Sequence, residues 1–248
     1  MVAYVRVARG YRWYMRSLAE QTQDELGGRW SILVRQKNDH IELDALLDRL
    51  TTGSGEDDDA VLHRIARLVF PHAFAEEAVL WPELRRLLPD GEALTLRVEQ
   101  EHQEVNQLWT RLEAHPLPAE RAAIIARLVA VLREDVRDEE DKLLPRLQQV
   151  VDVRRLRRLG VVWELVRRTA PTRPHPVVSR RPPGNALAAL PLSVLDRGRD
   201  VLDVAARQGP ARLRPSLRSG SRVLARGAGR VERVHALRRG EHPSTHRP

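Results

Sequence analysis

The stretches HAFAEEAVLWPEL (72–84) and DVRDEEDKLLPRL (135–147) are two copies of one pattern. Each copy begins with a residue that can bind a metal, has a Glu–Glu pair four residues later, and continues into Leu and Pro. On a helix, positions i and i+4 lie one turn apart on the same face. His72 and Glu76 can therefore hold one ion from one helix, and Asp135 and Glu139 can do the same from another.

A single histidine precedes each copy at nearly the same distance, His40 before the first and His102 before the second. About 12 helical residues follow His40 before a turn, and about 15 lead back to His72, so the two arms are roughly 18 and 22 Å long. The chain thus returns to one level, and the same holds from His102 to Asp135 through the turn at 115–118. Metal sites in bundle cores are built from inward side chains at one height. We therefore predict an all-α fold, an up-down-up-down four-helix bundle.

The composition of this ligand set limits the class of metal. The six candidate ligands are His40, His72, Glu76, His102, Asp135 and Glu139. The chain has no Cys, which excludes iron–sulfur clusters and thiolate zinc sites. Mixed imidazole and carboxylate ligands suit iron, manganese or zinc, and six ligands are too many for one tetrahedral zinc. Since Glu76 and Glu139 can each bridge two ions, we predict a centre of two iron ions, with manganese or zinc as alternatives.

These residues resemble the hemerythrin-like (HHE cation-binding) family over about residues 29–150. The stretch EEAVLWPEL at 76–84 and the Glu101-His102 pair are typical of it. The family pattern has one His on the first helix, His-x3-Glu on the second, one His on the third and His-x3-Glu on the fourth. The resemblance implies a non-haem di-iron protein that binds, senses or turns over a small oxidant such as oxygen, peroxide or nitric oxide.

Two positions depart from the family pattern. Asp135 stands where the family has His, and Asn106 stands where family oxygen carriers have an additional His. We therefore expect a site with open coordination positions and not a reversible carrier of the animal type. The alternative is a non-enzymatic regulatory bundle with a structural or degenerate metal site. A carboxylate-rich di-metal oxidase would need more Glu ligands. Glu77 and Glu140 are either solvated or acceptors for the second imidazole nitrogen of the ligands.

The chain divides into four predicted parts. We expect an N-terminal extension (1–28), the bundle (29–150), an additional helix (151–170) and a Pro/Arg-rich, largely disordered basic tail (171–248). Bundle helices are predicted at about 30–50, 57–88, 92–114 and 119–150, and Pro71 predicts a kink or a break just before His72. Within the tail, 185–207 has a loose apolar stripe that is compatible with one helix.

Charge is unevenly distributed along the chain. From Val150 onward there are 22 Arg, no Lys and 7 acidic residues, a net charge of +15, although the whole chain carries +8. The tail has neither interleaved aromatic residues nor a recognition motif, so we expect no sequence-specific nucleic-acid binding. It is either a solvated tail or a weak contact for anionic surfaces. Without Cys we expect a cytoplasmic protein, and no uncharged run reaches the ~18 apolar residues of a membrane span.

Overall fold

The computed structural model describes residues 16–53, 58–114 and 116–245, and within them the regular secondary structure is entirely helical. The α-helices are α1 Ile32–Thr52, α2 Asp58–Ala75, α3 Trp81–Leu87, α4 Gly91–Glu113, α5 Pro118–Asp138, α6 Leu144–Val150, α7 Val153–Thr169, α8 Gly184–Gln208 and α9 Arg214–Val231. Short 3-10 turns occupy Leu18–Glu20, Ala211–Leu213 and His235–Arg238. The predicted all-α class is confirmed for this part of the chain. Most of the predicted N-terminal extension (1–15) and parts of the predicted turns, His115 included, lie outside the described residues.

Local chemistry explains where several helices begin. The Ser31 hydroxyl accepts the Leu33 amide at 3.3 Å at the start of α1, and the Asp152 carboxylate accepts the Arg155 amide at 2.7 Å at the start of α7. Pro118 occupies the first turn of α5, where its missing N–H costs nothing. Helix α2 continues through Pro71, so the alternative of a break before His72 is excluded.

Two π-helical turns join the bundle helices end to end. Glu76–Leu80 connects α2 to α3, and Glu139–Leu143 connects α5 to α6. In each, an amide donates to the carbonyl five residues earlier, Trp81 to Glu76 and Leu144 to Glu139.

Both turns are followed by a proline, Pro82 and Pro145. Proline has no N–H, so the regular i→i−4 bond is lost there, and the chain accommodates one extra residue. The sequence duplication therefore reappears as a duplicated irregularity that begins at the two candidate glutamates, and π turns of this kind are frequent at functional sites.

The apolar core is divided into two clusters, with the candidate ligands between them. One cluster contains Leu43, Leu47, Ile65, Val105 and Leu128, among others, and the second contains Leu33, Leu80, Trp81, Val98, Leu144 and Trp163, among others. Along the chain, α1 and α4 pass from the second cluster to the first, while the continuous runs α2–α3 and α5–α6 pass from the first to the second. Each of these helices carries its ligands where it crosses the boundary. Helix α7 packs against the second cluster through Leu156, Leu159 and Trp163.

The expectation of a largely disordered tail is wrong for the residues that the structure describes. Helices α8 and α9 form an antiparallel hairpin, in which glycines receive leucines of the opposite helix. A Cβ on Gly198 would lie 2.9 Å from Leu224, and one on Gly220 would lie 3.2 Å from Leu202. Part of the apolar stripe seen in the sequence packs in this seam and against Val178 and Leu237, while Leu187, Leu190 and Val201 remain exposed. Composition alone suggested disorder because these leucines are few, but glycine lets the helices approach closely.

None of the described helices is long and apolar enough to cross a membrane.

Candidate metal centre

Five of the six predicted ligands form two groups in which each residue contributes one donor atom, and these atoms lie within 4.8 Å of one another. One group is His40, His72 and Glu139, and the other is Glu76, His102 and Glu139. Glu139 is common to both, so one carboxylate faces two adjacent positions. All five side chains are buried.

Individual distances define the shape of the site. His40 Nε2 lies 3.1 Å from Glu139 Oε2, and His72 Nε2 lies 3.2 Å from Glu76 Oε1. His102 Nε2 lies 3.7 Å from Glu76 Oε2 and 3.9 Å from Glu139 Oε1. The two glutamates at the start of the π turns thus lie between imidazoles from different helices, as bridging ligands would.

Asp135, the sixth predicted ligand, lies at the same level but belongs to neither group of three. Its Oδ1 is 3.6 Å from His102 Nε2, and the side chain is buried. The structure therefore brings all six predicted residues together, with Asp135 on the side of His102.

Buried polar atoms without hydrogen bonds mark the place for a cation. They include His40 Nε2, His102 Nε2, both Glu76 carboxylate oxygens, Asp135 Oδ1 and Glu139 Oε1. Buried polar atoms in proteins are almost always paired, and an unpaired charge in the core is costly. These atoms converge on one region and are all oxygen or imidazole nitrogen, which fits a divalent or trivalent metal ion. The residues therefore fit a bound metal ion.

Each imidazole has its other ring nitrogen held by a carboxylate outside the ligand set. His40 Nδ1 is 2.9 Å from Glu140, His72 Nδ1 is 3.0 Å from Asp39, and His102 Nδ1 is 2.9 Å from Glu77. Such acceptors fix the tautomer, so that Nε2 carries the lone pair toward the site. Glu77 and Glu140 thus act as acceptors. Asp39 was missed by the sequence reasoning, although its adjacency to His40 parallels the two Glu–Glu pairs.

The electrostatics of the metal-free site follow from this crowding of carboxylates. Burial lowers the pKa of His40, but its contacts with Glu139 and Glu140 outweigh this effect and raise the pKa to about 9. Burial also lowers the pKa of His102, but the charge of Asp135 and the hydrogen bond to Glu77 outweigh it and raise the pKa to about 10. Burial raises the pKa of Asp135 well above its usual range. Without a metal, protons take the place of the cation, so metal binding must release them.

Helix α7 supports the site from outside the four bundle helices. The Trp163 ring meets the His72 ring edge to face at a centroid distance of 5.3 Å. Arg167 Nη1 lies 3.9 Å from the Asp39 carboxylate that holds His72. Replacing either α7 residue would therefore affect the orientation of a candidate ligand.

Asn106 is engaged with the backbone. Its Nδ2 donates to the His102 carbonyl at 2.9 Å, and its Oδ1 accepts the His175 amide at 3.1 Å. This side chain therefore ties α4 to the segment between α7 and α8.

Two cavities lead toward the ligands. A cavity of about 20 Å³ is bordered by His40, His72, His102 and Asp135 and otherwise mainly by apolar side chains. An open groove of about 370 Å³ between α1 and α5 reaches the surface. The cavity and the groove share His40, Leu43, Leu132 and Val136, so these four residues form the wall between them.

Comparison with known proteins bears on this site. No curated protein and no solved structure matches the chain. Residues 31–147 match the family model described as the hemerythrin HHE cation-binding domain, a range that contains all six candidate ligands. The resemblance predicted from the sequence is thereby confirmed: residues 31–147 are similar to the hemerythrin HHE cation-binding domain.

Proposed function

We propose that the protein is a non-haem di-iron protein that binds, senses or turns over a small oxidant, with His40, His72, Glu76, His102, Asp135 and Glu139 as metal ligands. The observation that carries this proposal is the sharing of Glu139 by two adjacent groups of candidate ligands. A single ion would leave one group without a cation, whereas two ions use both.

The roles of the side chains follow from the contacts. His40 and His72 would hold one ion and His102 the other, each imidazole oriented by its outer carboxylate, and Glu76 and Glu139 would be shared carboxylate ligands. Asp135 supplies a short anionic ligand on the side of His102, which favours the more oxidised ion. Bound iron would supply redox electrons and open coordination positions. The alternating passage of the four bundle helices between the two core clusters supports the up-down-up-down order.

The size and lining of the adjacent cavity support a small ligand. About 20 Å³ accommodates roughly one molecule the size of water. Leu43, Val69, Leu132 and Val136 give the cavity an apolar wall. Oxygen, nitric oxide and hydrogen peroxide are the ligands closest to these limits.

One observation favours a second candidate, a regulatory bundle with a structural or degenerate metal site. Asp135 belongs to neither three-residue group, so the position that normally supplies a fourth imidazole contributes less to the site. In this case the bundle would transmit metal occupancy to the C-terminal hairpin without reacting with an oxidant.

Metal content and visible absorption test both candidates. The purified chain is loaded anaerobically with ferrous iron, oxidised, and measured before and after addition of azide. About two irons per chain, with a charge-transfer band that azide shifts, support the di-iron proposal. Less than about 0.2 iron per chain and no band indicate a degenerate site. Asp135→His is the companion variant. In a functional site it should raise the affinity for iron or change the visible spectrum, whereas a degenerate site should show no spectral response.

A further inference from the structure

Helix α9 carries an exposed row of arginines without carboxylate partners. They occur at every fourth position, Arg214, Arg218, Arg222, Arg226 and Arg230, and each is exposed. Arginines of the bundle are mostly paired, as Arg127 is with Glu104 at 2.6 Å. None of the five α9 arginines forms an ion pair within the described residues, so their charge is available to an external anion.

The row lies on the side of α9 that faces away from α8. Leu224 fits against Gly198, and Gly227 lies against Leu195, which defines the seam of the hairpin. At 3.6 residues per turn, Arg218, Arg222, Arg226 and Arg230 fall within an arc of about 120° opposite that seam. Helix packing therefore orients these arginines outward together.

An uncovered apolar stripe runs along α8 in the same hairpin. Leu187, Leu190, Val194 and Val201 are 53%, 67%, 66% and 68% exposed. Their spacing of three, four and seven residues places them on one face. The other faces of α8 are occupied, by α9 at Leu202 and by the segment after α7, where Asp196 accepts the Thr172 and Arg173 amides. Val223 of α9, 59% exposed, adds to the apolar surface of the hairpin.

From these two features together we propose that the α8–α9 hairpin binds the surface of a bilayer rich in anionic phospholipids. Helices that lie in a membrane interface bury an apolar face among the acyl chains and present basic residues to the headgroups. Clusters of four to eight basic residues on such elements are typical of binding to anionic lipids. The stripe on α8 supplies the apolar contact, and the arginines of α9 supply the charge complementarity.

Other occupants leave one of the two features unexplained. A nucleic-acid backbone would pair with the arginines but would leave the α8 stripe in water, and α9 exposes no aromatic side chain for base stacking. A second copy of the chain would cover the stripe but would bring two unneutralised arginine rows together. A lipid surface provides acyl chains for the apolar stripe and anionic headgroups for the arginines at the same time.

Flotation of the full-length protein with vesicles tests the proposal. Binding is compared between vesicles of phosphatidylcholine alone and vesicles that contain about 30% phosphatidylserine. We expect binding to the anionic vesicles only, weakened by added salt because screening reduces the attraction. The triple variant Arg222→Gln/Arg226→Gln/Arg230→Gln should bind on the order of 100-fold more weakly.

Matched variants separate the location of charge from total charge. Arg64→Gln/Arg111→Gln/Arg127→Gln removes the same charge from exposed bundle positions and should leave vesicle binding nearly unchanged. Leu187→Gln/Leu190→Gln/Val194→Gln should abolish binding although every arginine remains. Circular dichroism checks that each variant is folded.

Three outcomes would overturn the proposal. The first is equal binding of the wild type to neutral and anionic vesicles. The second is an equal loss of vesicle binding in the two variants that each lack three arginines. The third is that the wild type floats with neither kind of vesicle. Tight, salt-dependent binding to duplex DNA without flotation would assign the arginines to nucleic acid instead. A dimer in light scattering that Leu190→Gln dissociates, again without flotation, would assign the stripe to a second copy.

Discussion

Arg180 lies with its Nη1 3.6 Å from Glu77 Oε1, the same oxygen that is 2.9 Å from His102 Nδ1. Arg180 also donates to Gln103 Oε1 at 3.0 Å and is buried. It belongs to the segment between α7 and α8, beyond the part of the chain that matches the cation-binding family. A charge from the C-terminal region thus acts on the carboxylate that orients a candidate metal ligand, as Arg167 does on Asp39.

Arg180→Gln should lower the reduction potential of the iron-loaded protein. Without the guanidinium, Glu77 accepts more strongly from His102, and the more electron-rich imidazole stabilises the oxidised ion. The substitution should also reduce the free energy of unfolding by about 1–3 kcal/mol, because a buried hydrogen bond to Gln103 is weakened. Optical redox titration measures the first effect and urea unfolding the second.

Arg181→Gln is the matched control for that experiment. Arg181 is the adjacent residue, but its Nη2 pairs with Glu99 at 2.7 Å and it makes no contact with Glu77 in the described structure. We expect Arg181→Gln to lower the free energy of unfolding about as much as Arg180→Gln does, and to leave the reduction potential unchanged. If both variants shift the potential equally, the effect belongs to total charge and Arg180 has no specific role.

Glu139→Ala and His40→Ala should differ in how much metal they lose. Glu139 belongs to both candidate ligand groups, whereas His40 belongs to one. We therefore expect Glu139→Ala to lose most of both ions and His40→Ala to lose about one of two, since each ion needs its own set of ligands. Metal analysis after gel filtration gives the ratio. Equal losses in the two variants would argue against Glu139 as a shared ligand.

Much of the bundle could be predicted because its information is local. The i, i+4 pairs begin at His72 and Asp135, and helix arms of similar length lead to them. These features place all six candidate ligands on facing helices, and the structure brings them together. The π turns were not predicted, since they depend on Pro82 and Pro145 interrupting a helix that packing keeps continuous. Asp39 was missed because it lies outside the duplicated Glu–Glu pattern that drew attention to Glu77 and Glu140, and its partner His72 is 33 positions away.

The folded structure of the C-terminal region could not be predicted from the sequence, for a different physical reason. Its sequence has few leucines and many arginines, so composition predicts that too little apolar area is buried for folding. The close seam at Gly198 and Gly220, and buried polar contacts such as Thr172 with Asp200 at 2.9 Å, depend on residues distant in the chain. Periodicity in one segment carries no information on such partners.

Val136 should control how fast a ligand reaches the site. It lines both the small cavity beside the ligands and the open groove between α1 and α5. Val136→Phe should slow azide association about tenfold, because about 1.4 kcal/mol of added barrier is sufficient, and Val136→Ala should accelerate it. Stopped-flow absorption measures the rates. Ile41→Phe, at a residue that lines only the groove, should leave the rate nearly unchanged; a slowing as large as that of Val136→Phe would refute this route.

His175 should make the stability of the C-terminal region depend on pH. Its Nε2 lies 2.9 Å from Asp196 and its Nδ1 2.8 Å from Glu232, so one buried imidazole joins α8 to the end of α9. Burial lowers its pKa, but the hydrogen bonds to both carboxylates outweigh burial and raise the pKa to about 9. Because the folded state holds the proton more tightly than the unfolded state, this contribution is complete below about pH 6.5 and is lost as the pH rises through about 9.

The measurement is a difference between wild type and His175→Gln. The wild type's advantage in free energy of unfolding should fall by up to about 3 kcal/mol between pH 6.5 and pH 9.5, as urea unfolding at several pH values would record. His63→Gln is the control, because burial lowers the pKa of His63, so any difference from wild type arises below pH 6.5 and stays constant above it. A difference for His175→Gln that is equally constant above pH 6.5 would mean that this histidine is neutral between its two carboxylates.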